Sequence, residues 1–177
     1  MHSYDSLSPE KVISAVESIG IKCNAILIPL NSYENRVYQV GIEEEDPIIV
    51  KFYRPGRWSN EQILEEHLFS MELAEADISV IAPLKSSDKT LFHFEAFRFS
   101  LFSRKGGYPP ELENDSDLQV LGRTLGRIHS IGKTKTFQYR PSMSFSEEVN
   151  EASTFLLGKF VPDELQSAYN SLISDLT

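Results

Sequence analysis

Cysteine is nearly missing from this chain: Cys23 is the only one, so no intrachain disulfide can form. Set in an alternating apolar and polar stretch, it is expected to be inert packing, since a reactive thiol needs an exposed, electropositive setting. Positive charge is short as well. Lys and Arg number 17 against 26 Asp and Glu, leaving a net charge of −9. Gripping nucleic acid needs a basic face, and so does docking on an anionic membrane, so neither partner is expected. The small basic patch of Arg123, Arg127 and Lys133 to Lys135 reads as a solvated face. No apolar run reaches the roughly 18 residues of a membrane span. No cationic, apolar leader opens the chain either. Cytoplasm is the expected compartment. Histidine is scarce and scattered. His2, His67, His93 and His129 have no metal-ligand spacing, and structural or surface roles are expected for them.

The rest of the composition is ordinary for a globular protein. Hydrophobic residues make up 41% and charged residues 24%, which argues against overall disorder. A length of 177 residues suits one domain or two small lobes. There is no internal repeat and no low-complexity segment.

Taken in order, Ser8-Pro9-Glu10 opens a helix with an N-cap, a first-turn proline and an early acid. Val12, Ile13, Val16 and Ile19 form its stripe, and Gly20 closes it. Strands are expected over 21–30, 35–42 and 48–53, joined by a polar turn at 31–35 and an acidic one at 43–46. Arg54-Pro55-Gly56-Arg57-Trp58 breaks the last of these, with Trp58 anchoring the start of the next helix. Ser59 and Gln62 make a capping box for that helix, which reaches about Ala74 with Leu64, Leu68 and Met71 as its apolar positions. Strands are expected again at 80–84, 90–94 and 97–102, with Phe92, Phe94, Phe97, Phe99 and Phe102 as core candidates. Ser103 to Pro110 cannot hold regular structure for long and reads as a hinge.

Beyond it the pattern turns helical. Asn114 to Asp117 offers caps for a helix with the stripe Leu118, Leu121, Leu125 and Ile128, ending near Gly132. Gly122 and Gly126 each cost up to about 1 kcal/mol against alanine, which suggests the close approach of another backbone. A helix over 146–157, capped by Ser144 or Ser146, comes next. Pro162 opens another, with Leu165, Tyr169, Leu172, Ile173 and Leu176 on one face. The domains read as 1–103, a linker at 104–114, and a helical part at 115–177.

One lysine stands out. Lys51 lies between Ile48, Val50 and Phe52 in a strand, and its charge is costly to bury unless something pairs with it. A carboxylate on the following helix is a candidate partner, and the polar turn at 31–35 a candidate cradle for phosphates.

Five stretches carry a resemblance: Pro29 to Gln39, Val50 to Pro55, Arg57-Trp58, Gln62 to His67, and Leu121 to His129. Together they resemble the bacterial stress response kinase A family, serine/threonine protein kinases related in fold to aminoglycoside phosphotransferases and choline kinases. The resemblance implies an α+β, protein-kinase-like small lobe, an antiparallel sheet with one main helix, followed by the first helices of a large lobe. It implies ATP as cofactor and a protein substrate. Lys51 would contact the phosphates and Glu66 would pair with it, with Glu65 the competing candidate. Asn31, Ser32, Tyr33 and Asn35 would form the loop over the nucleotide, and Leu101 to Ser103, Phe102 included, would meet the adenine. That loop departs from a glycine-rich one, having no glycine, so its side chains or constrained amides must supply donors.

A larger departure lies downstream. The family continues through a His-Gly-Asp-x-His-x-x-Asn loop and a metal-binding aspartate, and neither is present here. The chain is therefore expected to be an ATP-binding part without catalytic residues, inactive alone, its magnesium ligands lying outside it. Two rival readings stay open: part of a small-molecule phosphotransferase for an aminoglycoside, choline or homoserine-like acceptor, or a non-catalytic regulatory module. In the last, the exposed stripes of the later helices would dock a partner or a second copy.

Overall fold

A computed structural model describes residues 4–142 and 145–176. Residues divide into two compact units between Tyr139 and Arg140, beyond the 104–114 stretch.

The first unit opens with α1 (Pro9–Glu17). Ser8 caps it, its hydroxyl accepting from Lys11 N, and Pro9 sits where no amide hydrogen is needed. A turn with Gly20 at φ 87° leads out. The sheet then forms from β1 (Cys23–Leu30), β2 (Arg36–Ile42), β3 (Glu45–Tyr53), β4 (Phe92–Phe94) and β5 (Phe97–Ser103). Its order is β1-β2-β3-β5-β4, every pairing antiparallel. The expected α+β arrangement is the one found.

Strand register sorts the side chains onto two faces. Val40, Val50, Phe52, Phe99 and Leu101 are buried with Val12, Ala15 and Val16 of α1. Phe52 lies at its centre, its ring 5.4 Å from Phe99, 6.3 Å from Phe97 and 6.2 Å from Tyr38. Of the five expected core phenylalanines, 92, 97 and 99 are buried, while 94 and 102 are half-buried. Cys23 packs against this cluster, and burial, then Glu17 and Glu43, push its thiol up to about 11.

The strand expected at 80–84 is not there. Pro83 makes a single bridge to Phe102, and Leu84 N donates to Leu101 O at 2.7 Å. Proline has no amide hydrogen to extend a ladder, so the apolar run stays a strap along β5.

The second face of the sheet receives α2 (Asn60–Glu75). Both halves of the capping box form: Gln62 N donates to Ser59 Oγ, and Ser59 N donates to Gln62 Oε1. The buried residues of this helix are Ile63, His67 and Leu73. The expected stripe is displaced from that face, Leu64 and Leu68 being exposed at 40% and 59%. A histidine fills the central core position, so apolar periodicity alone pointed about 100° away.

Asn114 caps α3 (Asp115–Gly132), accepting from Ser116 N at 3.0 Å. No residue of α3 is buried, and Leu118, Leu121 and Leu125 of its stripe are exposed. Among the described residues, no other backbone approaches Gly122 or Gly126: a Cβ added at either meets nothing within 4 Å. Arg127 is exposed, as a solvated edge should be, but it is also engaged. It donates to Ala76 O at 2.8 Å and Asp77 O at 3.1 Å, meeting the carbonyls at the end of α2.

The second unit comprises α4 (Phe145–Leu157), a 3-10 turn at Asp163–Leu165 and α5 (Gln166–Leu176). Phe155 and Phe160 pack at 5.8 Å. Ser146 lies inside α4 rather than capping it, and Leu165 and Leu172 of the later stripe are exposed. His2, Ser144 and the Leu176 side chain lie outside the described residues. No helix among the described residues is long and apolar enough to cross a membrane.

Candidate functional site

Lys51 occupies the second face of β3, directly opposite Val37 on β2 and Ser100 on β5. Its Nζ reaches Glu66 Oε1 at 3.2 Å, joining the central strand to α2. Glu66 lies three positions beyond the buried Ile63 and one before the buried His67, so the core face of α2 carries it inward. The pair is partly open, with side-chain exposures of 24% and 36%. That opening leaves the ammonium accessible to an anion. The same Nζ stands 4.8 Å from the centre of the Tyr53 ring, two residues along β3 on the same face.

Beneath this pair lies a buried polar network. His67 Nε2 is 2.7 Å from the Tyr53 hydroxyl and 3.4 Å from Ser100 Oγ, and Nδ1 is 2.8 Å from Thr90 Oγ1. Burial, and then the charge of Lys51, push the His67 imidazolium down to about 4. A neutral ring, with one nitrogen donating and the other accepting, fits the contacts to Thr90 and Tyr53. An unfolded histidine takes up its proton near pH 6.5, well before the folded one does. Between the two values the unfolded chain binds more protons, so stability is lost as pH falls through that window. The melting temperature of the parent is therefore expected to drop between about pH 6.5 and 4 more steeply than that of His67→Gln. Parallel curves would rule this out.

The polar turn between β1 and β2 is fixed from several sides. Ser32 Oγ donates to Asn35 O at 2.5 Å. Asn35 Oδ1 accepts from Arg54 N at 3.4 Å. Glu34 accepts from Trp58 Nε1 at 3.0 Å and pairs with Arg57 Nε at 3.4 Å, while the Arg57 guanidinium covers the Trp58 ring. The Tyr4 hydroxyl donates to Glu34 O and Phe52 O. Asn31 and Tyr33 are exposed. A loop without glycine is thus held by side chains, and the strand-breaking Arg54 to Trp58 segment does much of the holding.

The row beside Lys51 runs Ile28, Gln39, Ile49, Phe102 across four strands. Ile28 is exposed, and Ile49 and Phe102 are half-buried, giving a partly open, mostly apolar surface next to the ammonium, interrupted by Gln39, whose Oε1 accepts from Arg104 Nε at 3.0 Å. Phe102 therefore shares the face of Lys51. Leu101 points the other way, into the α1 core, and only its backbone borders that surface.

Glu65 faces away from Lys51. Its carboxylate accepts from Gln138 N at 2.5 Å and Tyr139 N at 3.0 Å, fastening the stretch after α3 onto the outer face of α2. Gln62 Nε2 donates to Tyr139 O at 2.9 Å, and Lys135 pairs with Glu72 beside it. A groove of about 450 Å³ runs there between Leu64, Leu68, Phe69 and Phe137, remote from Lys51. Among the described residues, no three His, Cys, Asp or Glu side chains gather where they could hold a metal ion.

Tyr53, His67 and Thr90 are the residues that sequence reasoning missed. Alternation placed Tyr53 on the face of Lys51, and His67 directly follows Glu66, so both signals were available.

Residues 26–163 match the family model described as the phosphotransferase enzyme family. Stress response kinase A of Shigella flexneri is 37% identical over 175 residues, covering 98% of this chain and 53% of the relative. The serine/threonine protein kinase RdoA of Salmonella typhimurium (strain LT2) is 36% identical, covering 99% of this chain and 55% of the relative. The chain thus spans about half the length of the curated relatives it matches. Among solved structures, amicoumacin kinase hAmiN in complex with AMP-PNP, Ca2+ and Ami superposes with a TM-score of 0.70 at 22% identity, covering 98% of this chain and 54% of that one. A microcompartment-associated aminopropanol kinase gives 0.62 at 17%, covering 87% and 57%. At those identities the likeness is one of fold.

Proposed function

Because the chain belongs to the phosphotransferase enzyme family, we propose that it forms the ATP-binding part of a kinase acting on serine or threonine hydroxyls of proteins. The observation that carries this reading is the Lys51–Glu66 ion pair, 3.2 Å apart beside a half-open apolar sheet face. Lys51 would neutralise phosphate oxygens, and Glu66 would hold the ammonium at the height they require. The purine would lie against Ile28, Ile49 and Phe102, with the backbone around Leu101 to Ser103 at its edge. Ser32, Asn35 and their neighbours Asn31 and Tyr33 would cover the phosphates as a prearranged turn. The protein acceptor is proposed from the names of the relatives at 36–37% identity.

Calorimetric titration with ATP tests the site. The 177-residue chain is expected to bind ATP, and Glu66→Gln to weaken binding by about tenfold, as losing a charge-assisted contact does. Glu65→Gln, altered on the outer face of the same helix, is expected to cost far less affinity than Glu66→Gln, because it reaches the pair only through the helix. A Glu65→Gln loss with Glu66→Gln unaffected would reverse the assignment. Phosphoryl transfer calls for a carboxylate to orient the hydroxyl and for ligands to the metal. Incubation of this chain alone with labelled ATP and a serine-rich protein is accordingly expected to give no labelled product. Stoichiometric labelling would refute that expectation.

A further inference from the structure

We propose that the buried network of His67, Tyr53 and Thr90 sets the position of α2 against the sheet, and thereby the distance between Glu66 and Lys51. The role rests on the nucleotide-site reading but can be measured without nucleotide.

Apolar packing alone does not set that distance. Ile63 and Leu73 bury on the sheet side of α2, but burial of apolar surface is non-directional and tolerates sliding. The Lys51–Glu66 contact does not. At 3.2 Å, a displacement of about 1 Å takes it beyond hydrogen-bond range. His67 supplies the missing direction. It is 1% exposed, and both ring nitrogens are engaged by different parts of the sheet unit. Tyr53 belongs to β3, Thr90 to the segment entering β4, and Ser100, third in distance, to β5. Two bonds from opposite ends of one planar ring fix its plane, its rotation and its height. Glu66 is the adjacent residue, so fixing the ring fixes, within the rigid geometry of one helical turn, the backbone from which the Glu66 side chain reaches Lys51.

Tyr53 contributes a second time. Its hydroxyl is tied to His67 at 2.7 Å, and its ring lies under the Lys51 ammonium at 4.8 Å. The ring is thus a platform under the cation, and the platform is pinned by the histidine next to the cation's partner. His67, Tyr53 and Thr90 are positioning residues: they act on the phosphate-binding pair through Glu66 and Lys51.

The test follows the Lys51 side chain by NMR in chain labelled at lysine Cε, the signal assigned by its loss in Lys51→Arg. Glu66→Gln is introduced into the parent, into Tyr53→Phe and into Thr90→Val, and the resulting shift of the Lys51 signal is compared. Thr90→Val preserves shape while removing the partner of Nδ1. The response to Glu66→Gln is expected to fall to about half or less in either background, as coupled sites do. It should return in Thr90→Ser, which restores the hydroxyl. A full-sized response in folded Tyr53→Phe or Thr90→Val would overturn the proposal, as would a Thr90→Ser response no larger than that of Thr90→Val. If the parent bound no ATP, the nucleotide reading would fail while this comparison still gave its answer.

Discussion

Lys51→Ala is expected to weaken ATP binding by about ten- to a hundredfold, measured by calorimetry. The figure is that of hydrogen bonds to charged groups, about 1.5–3 kcal/mol. Two effects add in one direction. The substitution removes the cation proposed to meet the phosphates, and it takes from Glu66 the partner now 3.2 Å away. A carboxylate released beside the phosphate site repels the ligand as well. Folding should suffer less than binding. Lys51 is partly solvated, and its strand is held on either side by register with Val37 and Ser100. The variant should therefore keep the far-ultraviolet circular dichroism of the parent. Unchanged affinity in a folded Lys51→Ala would place the phosphates elsewhere and remove the main support for the site.

Phe52→Ala is expected to be the most damaging single change to stability, costing about 3–5 kcal/mol in urea unfolding. Phe52 is fully buried, and three aromatic rings stand around it with centroids 5.4 to 6.3 Å away. These rings sit on β2 and β5, the strands on either side of its own, so they cannot close the cavity without moving the sheet. Against a typical total of about 5–15 kcal/mol, the loss would leave the fold marginal. Leu68→Ala is the informative contrast. Sequence periodicity makes Leu68 a core residue of α2, yet it is 59% exposed. Its truncation should cost no more than about 0.5 kcal/mol. Comparable losses at the two positions would contradict the burial of one and the exposure of the other.

That contrast marks where the sequence was readable. Features that depend on a few neighbours could be read directly. Ser8-Pro9 and Ser59 with Gln62 named their helix starts because capping is local chemistry. Lys51 stood out as a charge in an apolar strand, but it was the resemblance that named Glu66 as its partner, with Glu65 competing; the structure brings Glu66 to Lys51 and Glu65 to Gln138. Features decided by tertiary packing were harder. Leu64, Leu68 and Met71 mimic a core stripe, but His67 takes the central position, and buried hydroxyl partners, the two nearest from Tyr53 and Thr90, make that acceptable. Those partners come from sequence positions 53 and 90, which no helix-periodicity argument links. The run 80–84 is apolar enough for a strand, and the obstacle was visible in Pro83. Gly122 and Gly126 suggested a close contact that the described residues do not provide. The glycine-free turn was expected to need side-chain support, but the supporting residues, Arg57 and Trp58, come from a segment that reads only as a strand breaker.

The adjacent acids Glu65 and Glu66 give α2 a mechanical property. One carboxylate grips the ammonium on the sheet, and the other grips two backbone amides on the opposite side of the helix. About 100° of helical rotation separates them, and a helix is too stiff to move one without the other. A roll of α2 that slackens one grip must strain or release the second. The helix therefore behaves as a lever with two loads, and the stretch at 138–139 is a handle from which the Lys51–Glu66 pair can be felt. By reciprocity, a ligand that holds Lys51 and Glu66 together also quiets that stretch by the same free energy. Amide hydrogen exchange at Gln138 and Tyr139, slowed by nucleotide bound on the far side of the helix, would be the outward sign of that linkage.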